Sequence, residues 1–324
     1  MCGVTAHDAL TKQEYKFSAR VVINACGPLV DLILDQDQEN ASPLIVPLQG
    51  THIVLHAKFL GDKTAFIIPK TSNGRVLYAI PWKDRTLIGT TETLLNAPSD
   101  KSAPLKEEVE YLLAEISKYL EIKPTHSDIL SAFSGIRPLV KPQAHAGSKR
   151  ISRDHTIITS PSGLITITGG KWTTYRLMAE DTLKVAADIG KLLYDSSFLS
   201  TSMKLSGWKK EKPQEERLRL YGTSADTLLE YEKKNPSSAT PLHPNLPITK
   251  SMIHFAIHEE MVMSLEDILS RRTRCLHLDA KATLEIAPQV VGYMGVEMGK
   301  DEKWCEEELG RFRELAMRCV VGRG

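Results

Sequence analysis

The chain has 324 residues, 42% of them hydrophobic, and its 41 basic and 40 acidic side chains leave a net charge of +1. This composition supports a sizeable core, and the balanced charge gives no global signal for nucleic acid or an anionic membrane. The five cysteines form no C-x-x-C pair, so we expect reduced thiols. No run of about 18 apolar residues and no targeting segment is apparent in this chain.

The first predicted elements are a short strand and a helix. The apolar, β-branched run over residues 21–25 predicts a strand that ends at Cys26-Gly27-Pro28. Residues 29–34 predict the following helix, with the proline near its first turn. In an open parallel sheet, a junction of this kind lies at the carboxyl ends of the strands, where ligands bind.

Strand patterns dominate from about residue 44 to residue 140. Four segments rich in Ile, Val and Thr predict an antiparallel meander with one buried face; they are THIVLHA, AFIIP, RVLYAIPW and TLIGTTE. Residues 106–120 predict an amphipathic helix. Its apolar stripe contains Val109, Leu112, Leu113, Ile116 and Leu120.

The segment SRDHTIITSPSGLITITGG predicts a hairpin that turns at residues 160–163. A helix then opens at Gly169-Gly170-Lys171, and its spacing puts Tyr175, Ala179, Leu183 and Ala186 on one side. From residue 205 the chain becomes rich in charges with helical periodicity. We therefore predict one domain over residues 1–204 and a helical domain over residues 205–324.

Two explanations of Gly169-Gly170-Lys171 remain open. The first is a tight connection between strand and helix, in which glycine supplies backbone freedom. The second is a helix N-terminus that faces an anion or a cofactor, because the helix dipole and the lysine add positive charge at one place.

Three further residues are candidates for substrate binding or catalysis. Arg137 lies between Ile136 and Pro138, an apolar setting in which a guanidinium either reaches the surface or clamps a carboxylate or phosphate. Arg153 is a second candidate clamp, or a partner of its neighbour in the sequence. His52 shares a strand face with apolar residues, which is compatible with a structural role or with a base.

A histidine pair raises the question of a metal. His254 and His258 have the i, i+4 spacing of a two-histidine site, but they do not complete H-E-x-x-H. No third ligand is evident in the sequence, so we predict no metal site.

Seven segments in one order resemble FAD-dependent glycerol-3-phosphate dehydrogenase of the mitochondrial eukaryotic type. They are VVINACGP, PLQGTHIVL, GRVLYAIPWKDRTLIGTTET, FSGIRPLV, ISRDHTI, SGLITITGGKWTTYRLMAEDTL and SLEDILSRRTRCLHLDA. The family's G-x-G-x-x-G unit is absent from this sequence, so we expect the chain to match the C-terminal portion of the enzyme and to need the rest for FAD. The resemblance implies a partial FAD-binding Rossmann-like α/β domain with an antiparallel substrate-binding sheet, followed by the helical domain.

The resemblance also implies roles for the candidate residues. The flavin would lie near Gly169, Gly170, Lys171 and Thr173, with Gly27 allowing a close approach of the backbone to FAD. The phosphate of glycerol 3-phosphate would be held by Arg137 and Arg153, with His52 and Lys171 completing the substrate site. His52, Arg137 and Lys171 are the predicted catalytic group, with His52 as the base for the C2 hydroxyl.

The predicted reaction converts sn-glycerol 3-phosphate to dihydroxyacetone phosphate, with hydride passing to FAD and electrons to ubiquinone. The resemblance implies a mitochondrial location, peripheral association with the inner membrane and a homodimer, and no binding of nucleic acid. Two alternatives stay open. One is a related flavoprotein oxidase of the glycerophosphate or amino-acid oxidase type, and the other is a catalytically inactive structural module.

Overall fold

The computed structural model describes residues 1–39, 41–61, 63–97, 102–141, 154–195, 199–211 and 213–322. They belong to two compact units. Unit 1 comprises Met1–Gly50, Glu92–Ser102 and Ile136–Met203, and unit 2 comprises Thr51–Thr91, Ala103–Gly135 and Lys204–Gly324. Each compact unit is built from three separate segments of the chain. The division into two sequence domains at residue 204 stays a prediction.

The strands within the described residues are β1 (Gly3–His7), β2 (Glu14–Ser18), β3 (Ile23–Asn24), β4 (Ile45–His56), β5 (Phe66–Ile68), β6 (Leu77–Trp82), β7 (Arg85–Gly89), β8 (Thr93–Leu94), β9 (Ile129–Val140), β10 (His155–Thr159), β11 (Ile165–Gly169), β12 (Pro241–His243) and β13 (Leu246–Thr249). The α-helices are α1 (Val30–Asp37), α2 (Lys106–Ile116), α3 (Tyr175–Gly190), α4 (Ala225–Lys234), α5 (Lys250–Glu259), α6 (Cys275–Leu278), α7 (Ala280–Met298) and α8 (Glu302–Met317). In the described part of the chain, no helix has the length and apolar character needed to cross a bilayer.

Unit 1 contains a small mixed sheet in the order β10-β11-β3. The β10–β11 hairpin is antiparallel, as predicted, and Gly163 N–H closes its turn on the carbonyl of Ser160. β11 and β3 run parallel. The predicted strand over residues 21–25 is shorter than expected, because pairing with β11 extends only over Ile23 and Asn24.

Polar contacts attach α1 to the rest of unit 1. The carboxylate of Asp37 accepts hydrogen bonds from the hydroxyls of Ser160 and Ser162, both at 2.6 Å. These bonds keep the pKa of Asp37 below its usual value. Asp31 accepts a hydrogen bond from the N–H of Leu44 at 2.9 Å. The helix is therefore tied both to the hairpin turn and to the chain that enters β4.

The side of α3 that the spacing defines is only partly buried. Tyr175 and Leu183 are 53% and 52% exposed, although the predicted side also includes the buried Ala186. The buried side chains of the helix are Thr182, Ala186 and Ala187. The helix has the predicted position, but packing rather than apolar content decides which side is covered.

The large sheet is antiparallel, as predicted, but it is not a simple meander. In unit 2, β5, β6 and β7 follow one another, and β7 then pairs with β4, with His52 opposite Gly89. A simple meander would place β5 beside β4. Instead, the chain after β4 crosses to the far edge of the sheet as β5, and β6 and β7 then return to β4, so the meander prediction is wrong for the neighbour of β4. β4 also pairs with β9, and its first half pairs with β8 in unit 1.

One core of unit 2 packs α2 against the sheet. All five residues of the predicted α2 stripe are buried there, although the α-helix ends at Ile116 and a tighter turn carries the chain to Leu120. The main buried residues of this core are Ile53, Leu55, Phe59, Ile68, Leu77, Ala79, Ile88, Val109, Leu112, Leu113, Ile116, Leu120, Ile129 and Ala132.

The second core of unit 2 lies among the C-terminal helices. Side chains of Thr249, Asp279 and Asp301 cap α5, α7 and α8 by accepting a hydrogen bond from the N–H three residues later. The apolar faces of these three helices pack together in one buried cluster. Its residues include Ile253, Ala256, Val290, Val291, Met294 and Phe312. The parallel pair, the antiparallel sheet and these helices confirm the predicted fold class. All five cysteines are free in the structure, and their reduced state stays a prediction.

Candidate functional site

The carboxyl ends of two parallel strands form an edge in unit 1. Thr166 of β11 lies opposite Asn24 of β3. Glycine with positive φ stands between each strand and the helix after it. Gly27 (+55°) precedes α1, while Gly169 (+78°) ends β11 and is followed by Gly170 (+71°) before α3. The N-termini of both helices therefore lie at the edge where α/β sheets bind ligands.

A buried asparagine fixes the turn after β3. Nδ2 of Asn24 donates to the carbonyl of Val30 at 3.0 Å and to Oγ1 of Thr166 at 3.3 Å. Its Oδ1 accepts a hydrogen bond from the N–H of Cys26 at 3.3 Å. One side chain thus satisfies main-chain groups of the turn and holds it against β11.

The backbone conformation and close neighbours of Gly169 and Gly170, at the end of β11, by themselves favour glycine. A side chain at Gly169 would overlap the carbonyl oxygen of Asp154, and one at Gly170 would overlap the sulfur of Met178. Positive φ and such close contacts favour glycine with or without a ligand. The local explanation of the pair therefore has direct support, and contact between these glycines and a flavin stays a prediction.

The residues after the glycine pair are exposed to solvent. Lys171 precedes a 3-10 turn over Trp172–Thr174, and its N–H donates to Oγ1 of Thr174 at 3.3 Å. Thr173 lies in the same turn. Trp172 is 87% exposed and stacks on Tyr175, with ring centroids 5.7 Å apart. This segment offers a cation, helix N–H groups and an aromatic face to an anionic or planar ligand.

A buried hydroxyl adds to this edge of unit 1. Oγ1 of Thr168, next to Gly169 at the end of β11, has no hydrogen-bond partner among the described residues. Leaving such a group unmet costs about 1–3 kcal/mol, so a polar group of a ligand would stabilise it. Together with the helix N-termini and Lys171, these groups fit the flavin ring of FAD, which carries acceptor atoms.

Arg137 lies on β9 in unit 1, with its guanidinium against the backbone of Gly50 on β4. A side chain at Gly50 would overlap the guanidinium carbon and both terminal nitrogens. Arg137 is partly buried, so packing holds its planar group in place. A pre-oriented guanidinium suits bidentate binding of a phosphate. Arg153, the second predicted phosphate ligand, lies outside the described residues.

His52 lies on β4 in unit 2, surrounded by aromatic rings. Its Nε2 is 2.5 Å from the hydroxyl of Tyr78, and its ring stacks on Phe133 with centroids 5.4 Å apart. Gly89 lies opposite both His52 and Tyr78, on the strand between them. A side chain at Gly89 would overlap the imidazole. Glycine at this position thus allows His52 and Tyr78 to meet across the strand.

A second histidine lies behind the aromatic stack. Phe133 contacts His277 edge to face, with centroids 4.8 Å apart and planes at 87°. Burial, and next the charge of Arg274, lower the pKa of His277 to about 4. His277 is therefore neutral at pH 7 and supports Phe133 without adding charge near His52.

A buried carboxylate holds the start of the strand that carries His52. Glu108 of α2 is 4% exposed and accepts hydrogen bonds from Oγ1 of Thr51 at 2.5 Å and Oγ1 of Thr91 at 2.9 Å. It also accepts from the N–H of Leu105 at 3.0 Å. Since Thr51 directly precedes His52, this network fixes the backbone next to the candidate base.

Sequence reasoning identified His52 but missed the residues that orient it. In the sequence, Tyr78 and Phe133 do not differ from other residues of predicted strands. Glu108 is one of several acidic residues on a predicted amphipathic helix. Their roles depend on strand register and on which helix face covers the sheet. An acidic residue one position before the apolar stripe of α2 was the only local signal for Glu108.

Two family models match the chain. The model described as the C-terminal domain of alpha-glycerophosphate oxidase matches residues 165–305. The model described as FAD dependent oxidoreductase matches residues 3–176, which is more than half of the chain. The chain belongs to the FAD dependent oxidoreductase family. The resemblance inferred from the sequence is confirmed, as is the fold class of an α/β FAD-type region followed by a helical region.

Curated relatives of this FAD dependent oxidoreductase share its sequence over nearly all of the chain. A mitochondrial glycerol-3-phosphate dehydrogenase of Bos taurus is 34% identical over 338 residues, covering 97% of this chain and 46% of that protein. A mitochondrial glycerol-3-phosphate dehydrogenase of Arabidopsis thaliana is 32% identical over 343 residues, covering 97% and 54%. The chain spans about half the length of these relatives.

A solved structure is also similar to this FAD dependent oxidoreductase. It is the X-ray structure of the glycerol-3-phosphate dehydrogenase from Bacillus halodurans complexed with FAD. The TM-score is 0.82 at 26% sequence identity, and the match covers 98% of this chain and 66% of that chain. The similarity therefore extends over both regions that the family models match.

Proposed function

We propose that this protein oxidises sn-glycerol 3-phosphate to dihydroxyacetone phosphate with FAD as its cofactor. The observation that carries the proposal is the similarity, over 97% of this chain, to proteins named glycerol-3-phosphate dehydrogenase. The geometry of each unit supports it, because unit 1 has two helix N-termini at one sheet edge and a partly buried arginine, and unit 2 has an imidazole that contacts Tyr78 and Phe133.

Unit 1 would hold the cofactor. When bound, FAD accepts the hydride that leaves C2 of the substrate. The contacting residues would be Gly27, Gly169, Gly170, Lys171 and Thr173. Lys171 and the N–H groups at the start of α3 supply positive charge, which stabilises electron density that collects on a neighbouring ring.

His52 would take the proton of the C2 hydroxyl. Its hydrogen bond with Tyr78 decides which ring nitrogen can do so. If Nε2–H donates to the tyrosine oxygen, the lone pair lies on Nδ1, which is then the basic atom. Stacking on Phe133 keeps the ring in one plane, so the basic atom has a fixed direction.

Arg137 would bind the phosphate of the substrate, with Arg153 as the second proposed phosphate ligand. Two parallel N–H donors match two phosphate oxygens. Lys171 is proposed to contribute to substrate binding through its charge.

Replacing Arg137 with Ala should lower kcat/KM for glycerol 3-phosphate about 10- to 100-fold, because a charge-assisted hydrogen bond contributes about 1.5–3 kcal/mol. Arg137→Lys should recover part of this loss, since it keeps the charge without the bidentate geometry. Steady-state kinetics on glycerol 3-phosphate and on glycerol measure the effect. An equal loss on both substrates would show that Arg137 acts structurally and not on the phosphate.

The reaction itself is tested by mixing FAD-loaded protein with glycerol 3-phosphate in the absence of oxygen. The visible absorption of the flavin should bleach, and dihydroxyacetone phosphate should form in equal amount. Glycerol is the matched control, because it lacks the phosphate. Because this chain is expected to need the G-x-G-x-x-G unit for FAD, the experiment uses protein that includes that unit. Such a protein that stays colourless after titration with FAD would support the structural module, and bound FAD that glycerol 3-phosphate fails to bleach would overturn the proposed substrate.

A mitochondrial location is proposed because the relatives are named mitochondrial. Ubiquinone as the electron acceptor, association with the inner membrane and a homodimer are proposed from the family resemblance alone. An oxidase that uses oxygen is the second candidate, favoured by the match to the C-terminal domain of alpha-glycerophosphate oxidase. The rate at which the reduced flavin is reoxidised distinguishes the ubiquinone-linked enzyme from the oxidase. A soluble ubiquinone analogue should restore the absorption faster than dissolved oxygen does, and faster reaction with oxygen would favour the oxidase.

A further inference from the structure

Two histidines and a glutamate from two helices converge on one point at the surface of unit 2. His254 and His258 lie one turn apart on α5, and Glu297 lies on α7. Nδ1 of His254 and Nε2 of His258 are each 3.1 Å from Oε2 of Glu297. One donor atom from each of the three residues lies within 4.8 Å of the others. The i, i+4 histidine pair thus has the third ligand that the sequence did not reveal.

The two separations between nitrogen and oxygen are close to those of ligands around a small divalent ion. Zinc binds imidazole nitrogen at about 2.0–2.1 Å and carboxylate oxygen at about 2.0–2.2 Å, in tetrahedral geometry. Two such ligands lie roughly 3.3–3.5 Å apart, which follows from those bond lengths and the tetrahedral angle. The distances of 3.1 Å between nitrogen and oxygen need only a small expansion to admit the ion.

The helices hold the three ligands in a defined arrangement. Ile253 and Ala256 of α5 and Val291 and Met294 of α7 belong to one buried core, so both backbones are fixed beside the ligands. The ring of Tyr231 stacks on His254, with centroids 3.9 Å apart and planes 14° apart. Packing behind a ligand that fixes its orientation favours metal binding.

We propose that His254, His258 and Glu297 form a binding site for a divalent transition-metal ion, with zinc as the best match. Imidazole and carboxylate both suit zinc, and three protein ligands leave a position for water. The side chains are 29%, 46% and 32% exposed, so an ion reaches them from solvent. Binding requires neutral imidazoles with the lone pair toward the ion, so the ring proton moves to the other nitrogen. The bound ion links α5 to α7.

Zinc binding is tested on tag-free protein that has been treated with a chelator and then titrated with zinc sulfate. We expect one zinc per chain and an increase in Tm of about 5 °C when free zinc exceeds the dissociation constant about 100-fold. Cobalt used as a probe should give weak visible bands without the strong near-ultraviolet band of a thiolate ligand. That result would show that none of the five cysteines holds the ion.

Single substitutions identify the site. Glu297→Gln and His258→Gln should each abolish most of the zinc-dependent increase in Tm, while Tm in chelator changes little because these side chains are partly exposed. His126→Gln is the matched control, since His126 contacts a single carboxylate, Glu110, at 2.9 Å. The His126→Gln variant should keep the full zinc-dependent increase in Tm. The proposal is overturned if wild type shows no response, or if both site variants respond as fully as wild type.

Discussion

His52→Asn should lower the rate of flavin reduction by glycerol 3-phosphate about 100- to 10,000-fold, the range expected for loss of a general base. Asparagine is close to imidazole in size and can keep a hydrogen bond to Tyr78, but it cannot take up a proton at neutral pH. The rate is measured by rapid mixing without oxygen across a range of pH. In wild type the rate should fall at low pH as the base is protonated, and this fall should be absent from the variant.

Two control variants separate chemistry from structure. His56 lies four residues after His52 on β4, so His56→Asn makes the same chemical change on the same strand and should retain nearly the full rate. Tyr78→Phe removes the hydroxyl that contacts Nε2 and should give an intermediate loss, because orientation of the ring is weakened. A loss below about 10-fold in His52→Asn, with the pH dependence unchanged, would exclude His52 as the base.

Glu108→Ala should lower the free energy of unfolding of unit 2 by about 3 kcal/mol or more. The substitution leaves three donors in a buried place without their acceptor, the hydroxyls of Thr51 and Thr91 and the N–H of Leu105. Each unmet buried group costs about 1–3 kcal/mol. Unfolding in urea, followed by circular dichroism, measures the change.

Neighbouring and conservative variants test this explanation. Glu107 occupies the preceding position of α2 and is exposed, so Glu107→Ala should change the free energy of unfolding by no more than about 0.5 kcal/mol. Glu108→Gln keeps one acceptor oxygen, so its free energy of unfolding should lie between those of Glu108→Ala and Glu107→Ala. If Glu108→Ala is as stable as Glu107→Ala, the network around Thr51 contributes little to folding.

Much of the fold could be predicted because its signals are local. The stripe of α2 repeats at helical spacing, and every residue of that stripe is buried. The β10–β11 hairpin has alternating strands and a turn at residues 160–163, and it forms as predicted. By contrast, the neighbour of β4 was predicted wrongly, because pairing of β7 with β4 depends on the path of the chain through β5 and β6.

The sequence by itself determined the family, the main elements and the position of the glycines and of Lys171 between a strand and a helix, since order of motifs and periodicity are properties of the chain alone. Only the tertiary structure decided which side chains meet. Glu297 reaches His254 across 43 positions of sequence, and Glu108 reaches Thr51 across 57. Such contacts depend on how helices and strands pack, and local pattern carries no information about them. For the same reason, the face of α3 that is covered and the partners of His52 became visible only in the folded chain.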